Sequence, residues 1–268
     1  MYSHLTLAEI EQRYVRDGLP MPRELAAALE SDPRAGAARI LQAVERRRQR
    51  NRIEGQRLRQ LSRFERELWD AGHMHVAGVD EAGMSPLAGP VVAGAAILPR
   101  GYRLAGLDDS KKLSAARREQ LAAELRREAV AWGIGRVEPA EIDAINIYRA
   151  GLLAMRRAVE ALGVVPSHLL IDARPLKELD IPQQSIIKGD AKSISIAAAS
   201  ILAKTRRDAI MVEYDQTYPG YGFAQHKGYP VAAHVRAIEK LGVSPIHRKS
   251  FGPVRRLLTP APHQTELF

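Results

Sequence analysis

The chain has 268 residues, 46% of them hydrophobic, no cysteine, and a formal net charge of +9 with a sequence pI near 9.9. The missing cysteines exclude disulfides, thiolate metal sites and cysteine nucleophiles. No apolar run reaches the ~18 residues of a membrane span, and the N-terminus lacks the apolar core of a secretory signal, so a cytoplasmic, membrane-free protein is expected. The length predicts one large or two small domains. The basic balance points to a polyanionic partner, nucleic acid first. Aromatic residues make up only 5%. That argues against extensive base stacking and favours contacts along a phosphate backbone.

In chain order, Leu5 to Tyr14 predicts a short helix opened by Thr6, and Arg23 to Glu30 another after Pro20 and Pro22. A third helix is predicted from Asp32 as N-cap and Pro33, running to Trp69 with a break near Gly55. Between Glu45 and Arg66 lie nine arginines and three glutamates, a local net charge of +6. Such a face is either simply solvated or an arm that contacts phosphates, whose oxygens the guanidinium fork matches. The expected organisation is a basic helical extension over 1–72, a main domain over 73–258 and a flexible tail over 259–268.

The main domain opens with two apolar runs, Val76–Val79 and Pro90–Leu98, joined by a short glycine-rich turn and so read as an antiparallel pair. A polar loop, Asp108–Leu113, precedes a helix capped by Ser114 and running to Ala129. A strand over Val130–Val137, a helical turn from Pro139 and a helix over Ile147–Leu162 follow, the last ended by Gly163. His168–Asp172 and Gln184–Asp190 are further apolar runs that end in carboxylates. Ala191 to Gln216 predicts a helix that is apolar on nearly all sides in its first half, hence buried, with Lys204, Arg206 and Arg207 on its exposed end. A turn-rich stretch and a helix over Pro230–Leu241 complete the domain. Strands alternating with helices predict an α/β fold with a mixed sheet.

The chemistry gathers at strand ends, where open α/β sheets place their sites. Asp80 and Glu81 follow the first apolar run, and Asp172 and Asp190 end later ones. The bland alternative is that Asp80 opens a turn and Glu81 reaches solvent. If the four carboxylates converge, like-charge repulsion requires cations, and hard oxygen donors favour Mg²⁺ or Mn²⁺. Two such ions on a basic protein describe a nuclease. One obstacle is that neighbours on a strand point to opposite faces, so Glu81 must reach round.

These residues sit in strings that resemble bacterial ribonuclease HII, the type 2 ribonuclease H family: GVDEAG (78–83), PLAGPVV (86–92), DSKKLS (109–114), LLID (169–172), KGDAKS (188–193), AASILAKTRRD (198–208), YGFAQHKGYP (221–230) and PIHRKSF (245–251). The resemblance spans about Val76 to Leu258, and the first 72 residues resemble an extension found in some members. It implies a ribonuclease H-like mixed sheet flanked by helices, with a helical N-terminal extension and a helical C-terminal region. It also implies endonucleolytic cleavage of the RNA strand in RNA–DNA hybrids and at ribonucleotides embedded in duplex DNA, leaving 5′-phosphate and 3′-hydroxyl ends. That activity belongs to ribonucleotide excision repair and DNA replication, and a monomer is expected.

By the same resemblance Asp80, Glu81, Asp172 and Asp190 are the catalytic, metal-holding carboxylates. Tyr229 stacks on the sugar at the RNA–DNA junction, while Lys111 and Lys112 bind phosphate. Without the family, Tyr229 reads as an ordinary half-buried tyrosine and the lysine pair as a solvated loop. His226 and His247 read as structural hydrogen-bonders. The rivals are another metal-dependent nuclease on the same sheet and a non-catalytic nucleic-acid clamp.

Two features stand apart. Where the family usually has Gly-Arg-Gly to read the 2′-hydroxyl, this chain has Gly83-Met84-Ser85. It thereby loses a charged donor and predicts weaker cleavage at single ribonucleotides. The last residues, with Gln264, Leu267 and Phe268, resemble the peptide by which bacterial repair enzymes dock on the DNA sliding clamp.

Overall fold

A computed structural model describes residues 5–258. The chain divides into two compact units, Met1–Arg59 and Gln60–Phe268. In the first unit, helix α1 (Leu7–Glu11) is opened by a reciprocal capping box between Thr6 and Glu9 and continues as a π-helical turn over Gln12–Arg16. Helix α2 covers Arg23–Glu30, as the sequence predicts. Helix α3 (Ala35–Leu61) begins two residues later than expected. The Asp32 carboxylate accepts the Arg34 N–H at 3.0 Å and pairs with its guanidinium, so it closes a turn ahead of the helix instead of capping it. Gly55 does not break α3, since one glycine costs a long helix only about 1 kcal/mol. The break falls at Ser62, after which α4 (Arg63–Asp70) begins. The unit's core comprises Ile10, Tyr14, Met21, Leu25, Leu29, Ala37, Ile40 and Val44. Two arginines of the basic stretch are structural: Arg47 donates to the carbonyls of Tyr14 and Leu19, and Arg48 to that of Met21.

The second unit is built on five strands: β1 (Val76–Ala82), β2 (Val91–Ile97), β3 (Ala131–Val137), β4 (His168–Asp172) and β5 (Gln183–Ile186). Their order is β3-β2-β1-β4-β5. The first three are antiparallel, and β1, β4 and β5 are parallel, so the sheet is mixed as expected. Helices α5 (Ala115–Glu128), α6 (Pro139–Ile145), α7 (Ile147–Glu160), α8 (Ile194–Thr217), α9 (Phe223–His226), α10 (Ala232–Leu241) and α11 (Gly252–Leu258) flank it. The short α9 and the closing α11 carry no clear signal in the sequence.

Helices α7 and α8 lie on opposite faces of the sheet, and glycines set how close they come. A Cβ at Gly135 would sit 1.9 Å from the Ala154 carbonyl oxygen of α7, and one at Gly78 would sit 2.0 Å from the Ser195 backbone of α8. Neither helix could pack at this distance against a larger residue. The first half of α8 is buried on all sides, as its composition predicts. Its later half corrects the reading, because Arg207 is fully buried and only Arg206 is exposed. No helix among the described residues is long and apolar enough to cross a membrane. The candidate clamp peptide (Gln264, Leu267, Phe268) lies outside the described residues.

Candidate active site

Register places the first two carboxylates. Asp80 lies opposite Gly94 and shares the α8 face with Gly78; Glu81 lies opposite Ala93 and shares the α7 face with Val79. The pair therefore does straddle the sheet. Pairing of β1 with β4 runs only to Val79 and Ile171, however, so both carboxylates project beyond the end of that seam. Asp172 is the next residue on β4, on the face of Leu170 and Asp80. Asp190 does not end a strand. Strand β5 stops at Ile186, and Lys188, at φ 57°, turns the chain into a single 3₁₀ turn over Gly189–Ala191 that carries Asp190.

Electrostatics couples Asp80, Glu81 and Asp172, and Asp190 acts on Asp172. Asp80 is buried, which pushes its carboxyl well above the usual carboxylate range; the neighbouring charge of Glu81 raises it further, and that of Asp172 adds to this. Burial and the charge of Asp172 likewise raise Glu81. Burial raises Asp172 too, with Asp190 adding to it, although the Gly189 N–H donates to its Oδ1 at 2.7 Å. One ammonium serves the set. Lys111 Nζ approaches Asp190 Oδ2 at 3.4 Å, and although burial opposes its charge, Asp190 and Asp109 outweigh that and raise it. Lys112 turns away to Asp108.

Asp80, Asp172 and Asp190 are each also held by a donor. Asp80 Oδ1 accepts the Glu81 N–H at 2.8 Å and takes a hydrogen bond from Ser200, whose Oγ lies 2.9 Å from Ser110 Oγ. Asp172 is bound to Gly189 and Asp190 to Lys111. Accordingly, among the described residues no three His, Cys, Asp or Glu side chains are gathered into a ready-made cation site. The donor set still fits a hard divalent ion: oxygen ligands only, mutually repelling, one seated beside an ammonium that an ion can displace.

The Gly83–Pro90 loop follows directly on β1, which carries Asp80 and Glu81. Gly83, at φ +96°, must be glycine, since a Cβ there would fall 2.2 Å from Arg207 Nε. Met84 is partly buried with its sulfur against Gly151, so its side chain is part of the core. Ser85 is exposed and keeps a negative φ, so replacing a glycine here costs no backbone strain.

Two buried arginines brace the loop, and sequence reading missed both. Arg248 donates to the carbonyls of Gly83 (2.6 Å), Met84 (3.1 Å) and Gly89 (3.0 Å). Arg207 donates to those of Pro90, Ala88 and Lys227. Burial, then the charge of Arg207, pushes Arg248 down to about 9. Only the odd placement of Arg207 in an otherwise apolar helix hinted at this.

Tyr229 is 38% exposed, its ring flanked by Lys204 Nζ at 5.7 Å and Arg207 Cζ at 5.9 Å from the centroid. Its carbonyl ends a hydrogen-bond chain. The Ser244 N–H donates to His247 Nδ1, so that ring carries its proton on Nε2 and donates to His234 Nε2. The proton of His234 is then on Nδ1 and is donated to the Tyr229 carbonyl at 3.0 Å. His226 accepts the Gly228 N–H on Nδ1 and donates from Nε2 to the Tyr221 carbonyl, so His226 and His247 both hydrogen-bond within the fold, and His234 is a third such residue that sequence reading did not single out.

Known proteins resemble this chain along most of its length. Residues 77–254 match the family model of ribonuclease HII, and residues 6–69 match the ribonuclease HII N-terminal domain. Ribonuclease HII of Myxococcus xanthus is 59% identical over 269 residues, 98% of this chain and 92% of that protein. Its counterpart in Anaeromyxobacter sp. is 58% identical over 266 residues, 99% and 84% of the two chains. Among solved structures, ribonuclease H2 of Pyrococcus horikoshii superposes with a TM-score of 0.60 at 28% identity, covering 69% of this chain and 97% of that one. The RNase HII of the Archaeoglobus fulgidus PCNA:RNase HII complex gives 0.55 at 26%, covering 65% and 93%. The chain belongs to the ribonuclease HII family, and it is a hydrolase with ribonuclease H endonuclease activity.

Proposed function

We propose that the substrates are RNA–DNA hybrids and duplex DNA carrying single ribonucleotides, cut to leave 5′-phosphate and 3′-hydroxyl ends. Asp80, Glu81, Asp172 and Asp190 would hold two divalent ions, Mg²⁺ or Mn²⁺. The carrying observation is the placement of Asp80, Glu81 and Asp172 at the ends of the adjacent strands β1 and β4, with Asp190 Oδ2 3.4 Å from Lys111 Nζ. When bound, the ions polarise a phosphate oxygen, lower the pKa of the attacking water and neutralise charge on the leaving oxygen.

The chain's own residues do the rest. Lys111 gives up Asp190 and stays near the scissile phosphate as a cation. Tyr229 offers a ring edged by Lys204 and Arg207 on which the sugar at the junction stacks. Arg248 ties the carbonyls of Gly83 and Met84 inward, which leaves the amides of that loop to meet the 2′-hydroxyl. With Met84 in the core there is no charged donor in the loop, so preference for a single ribonucleotide over a continuous hybrid is reduced. The test measures cleavage of both substrates, with each metal and with chelator. Metal-dependent 5′-phosphate products from both are expected. No cleavage of either in saturating Mg²⁺ or Mn²⁺ defeats the reading.

A DNA sliding clamp is the proposed partner, through Gln264, Leu267 and Phe268. A solved relative is itself an archaeal complex of RNase HII with PCNA. Leu267→Ala with Phe268→Ala should abolish binding to purified bacterial clamp; undiminished binding refutes the docking.

A further inference from the structure

The segment matched by the N-terminal-domain model, residues 6–69, extends past the boundary of the first compact unit at Arg59. Its last ten residues belong to the catalytic unit, and among them Glu65 on α4 is fully buried. A buried carboxylate is costly unless its neighbours hold it. Glu65 Oε1 accepts from Ser193 Oγ at 2.5 Å and from the Ser195 N–H at 2.9 Å. Ser193 is the N-cap of α8, and its Oγ in turn accepts the Ile196 N–H at 3.2 Å. Glu65 and Ser193 together therefore satisfy the second and third amides of α8, which a helix otherwise leaves orphaned. A carboxylate suits the positive end of that helix. Among the described residues the other oxygen, Oε2, has no hydrogen-bond partner. The side chain thus tolerates burial for the sake of this one contact.

That turn of α8 is tightly constrained. Its Ser195–Ile196 peptide rests on Gly78, two residues before Asp80. Its N-cap amide donates to the Gly189 carbonyl at 2.8 Å, at the start of the turn that presents Asp190. We infer that Glu65 is a positioning residue for the metal-holding carboxylates: it fixes the first turn of α8 against β1 and so sets where Asp190 stands relative to Asp80. The N-terminal segment accordingly contributes to the active site itself. This rests on Asp190 being one of the metal-holding carboxylates.

The test uses the full-length protein with Glu65→Ala, Glu65→Gln and Asp190→Asn. Calorimetry gives the Mn²⁺ dissociation constant without nucleic acid, and kinetics give kcat, KM and the Mg²⁺ concentration at half-maximal cleavage. Support of this kind is worth about 10- to 100-fold in metal affinity, so Glu65→Ala should weaken Mn²⁺ and raise the Mg²⁺ half-point by at least ~10-fold, with KM for the nucleic acid unchanged. Glu65→Gln keeps an oxygen acceptor for Ser193 and Ser195 and should recover most of that loss. If Glu65→Ala does not fold, Glu65→Asp, one methylene shorter, carries the same expectation. A folded Ala or Asp variant with wild-type Mn²⁺ affinity overturns the inference. An Asp190→Asn enzyme with wild-type metal affinity and turnover instead overturns the reading of the site on which it rests.

Discussion

At the scale of the residue, the tension sits at Asp80. Its carboxyl is buried and shares space with Glu81 and Asp172, an arrangement that favours the neutral acid until cations arrive. Asparagine is nearly isosteric and carries no charge. Asp80→Asn should therefore keep the fold and hold or raise the melting temperature in chelator, while hybrid binding persists. Cleavage should fall roughly a hundred- to a thousandfold, the loss typical of one central electrostatic contact. Turnover close to wild type in saturating Mg²⁺ contradicts the role. Gly83 shows the complementary constraint, since its φ and the Arg207 side chain leave no room for a Cβ. Ser85, with negative φ, shows that its neighbour two positions on is under no such demand.

At the scale of the element, the stretch from α10 to Arg248 makes two testable statements. Arg248 carries three buried backbone carbonyls of the Gly83–Pro90 loop. Arg248→Met leaves them unpaired, each costing about 1–3 kcal/mol, partly offset by relief of repulsion with Arg207, for a net loss of roughly 2–4 kcal/mol. Arg248→Lys should recover little, because one ammonium cannot span three carbonyls. Urea denaturation measures this, and an unchanged midpoint rules out the brace. The buried His234–His247 pair predicts acid sensitivity. Burial, before any other cause, lowers each from 6.5 to about 4. Between these values the unfolded chain binds more protons than the folded one, so stability falls as pH drops from 6.5 towards 4. Each histidine should cost about 2 kcal/mol between pH 7 and 5, and the pair on the order of 4 kcal/mol. Replacing both with glutamine should flatten that slope; an equal slope assigns the effect elsewhere.

At the scale of the whole molecule, the question is the basic first unit. Arg47 and Arg48 hold backbone carbonyls, which removes them from the pool of phosphate-tracking side chains. Arg46, Arg50 and Arg52 are exposed. If these track phosphates, changing all three to glutamine should weaken hybrid binding and reduce the salt slope by roughly two to three. An unchanged slope makes the face merely solvated. Substitution is a cleaner test than deleting residues 1–70, which would also remove Glu65 and Trp69 from the core of the catalytic unit.

Much of this protein is local, and the sequence alone determined that part. Thr6, Ser114 and Gly163 mark helix ends because caps act within one turn, whereas α8 starts after its cap Ser193 and not at Ala191 as expected. The apolar runs identify β1 to β4, and those of β1 and β4 end in candidate carboxylates, whose proposed role comes from the family resemblance. What sequence could not decide depends on contacts far apart in the chain. Asp32 looks like a cap but closes a turn with Arg34, because a side chain takes the nearest good donor. Arg207 looks solvent-facing but is buried, because its partners are carbonyls more than a hundred residues away. Glu65 looks like one more charge on a basic helix, and only the packing of α4 against the start of α8, 128 residues on, makes it part of the site. Periodicity reports which face of an element is apolar; which polar group ends up beneath another element is decided only when the chain has closed on itself.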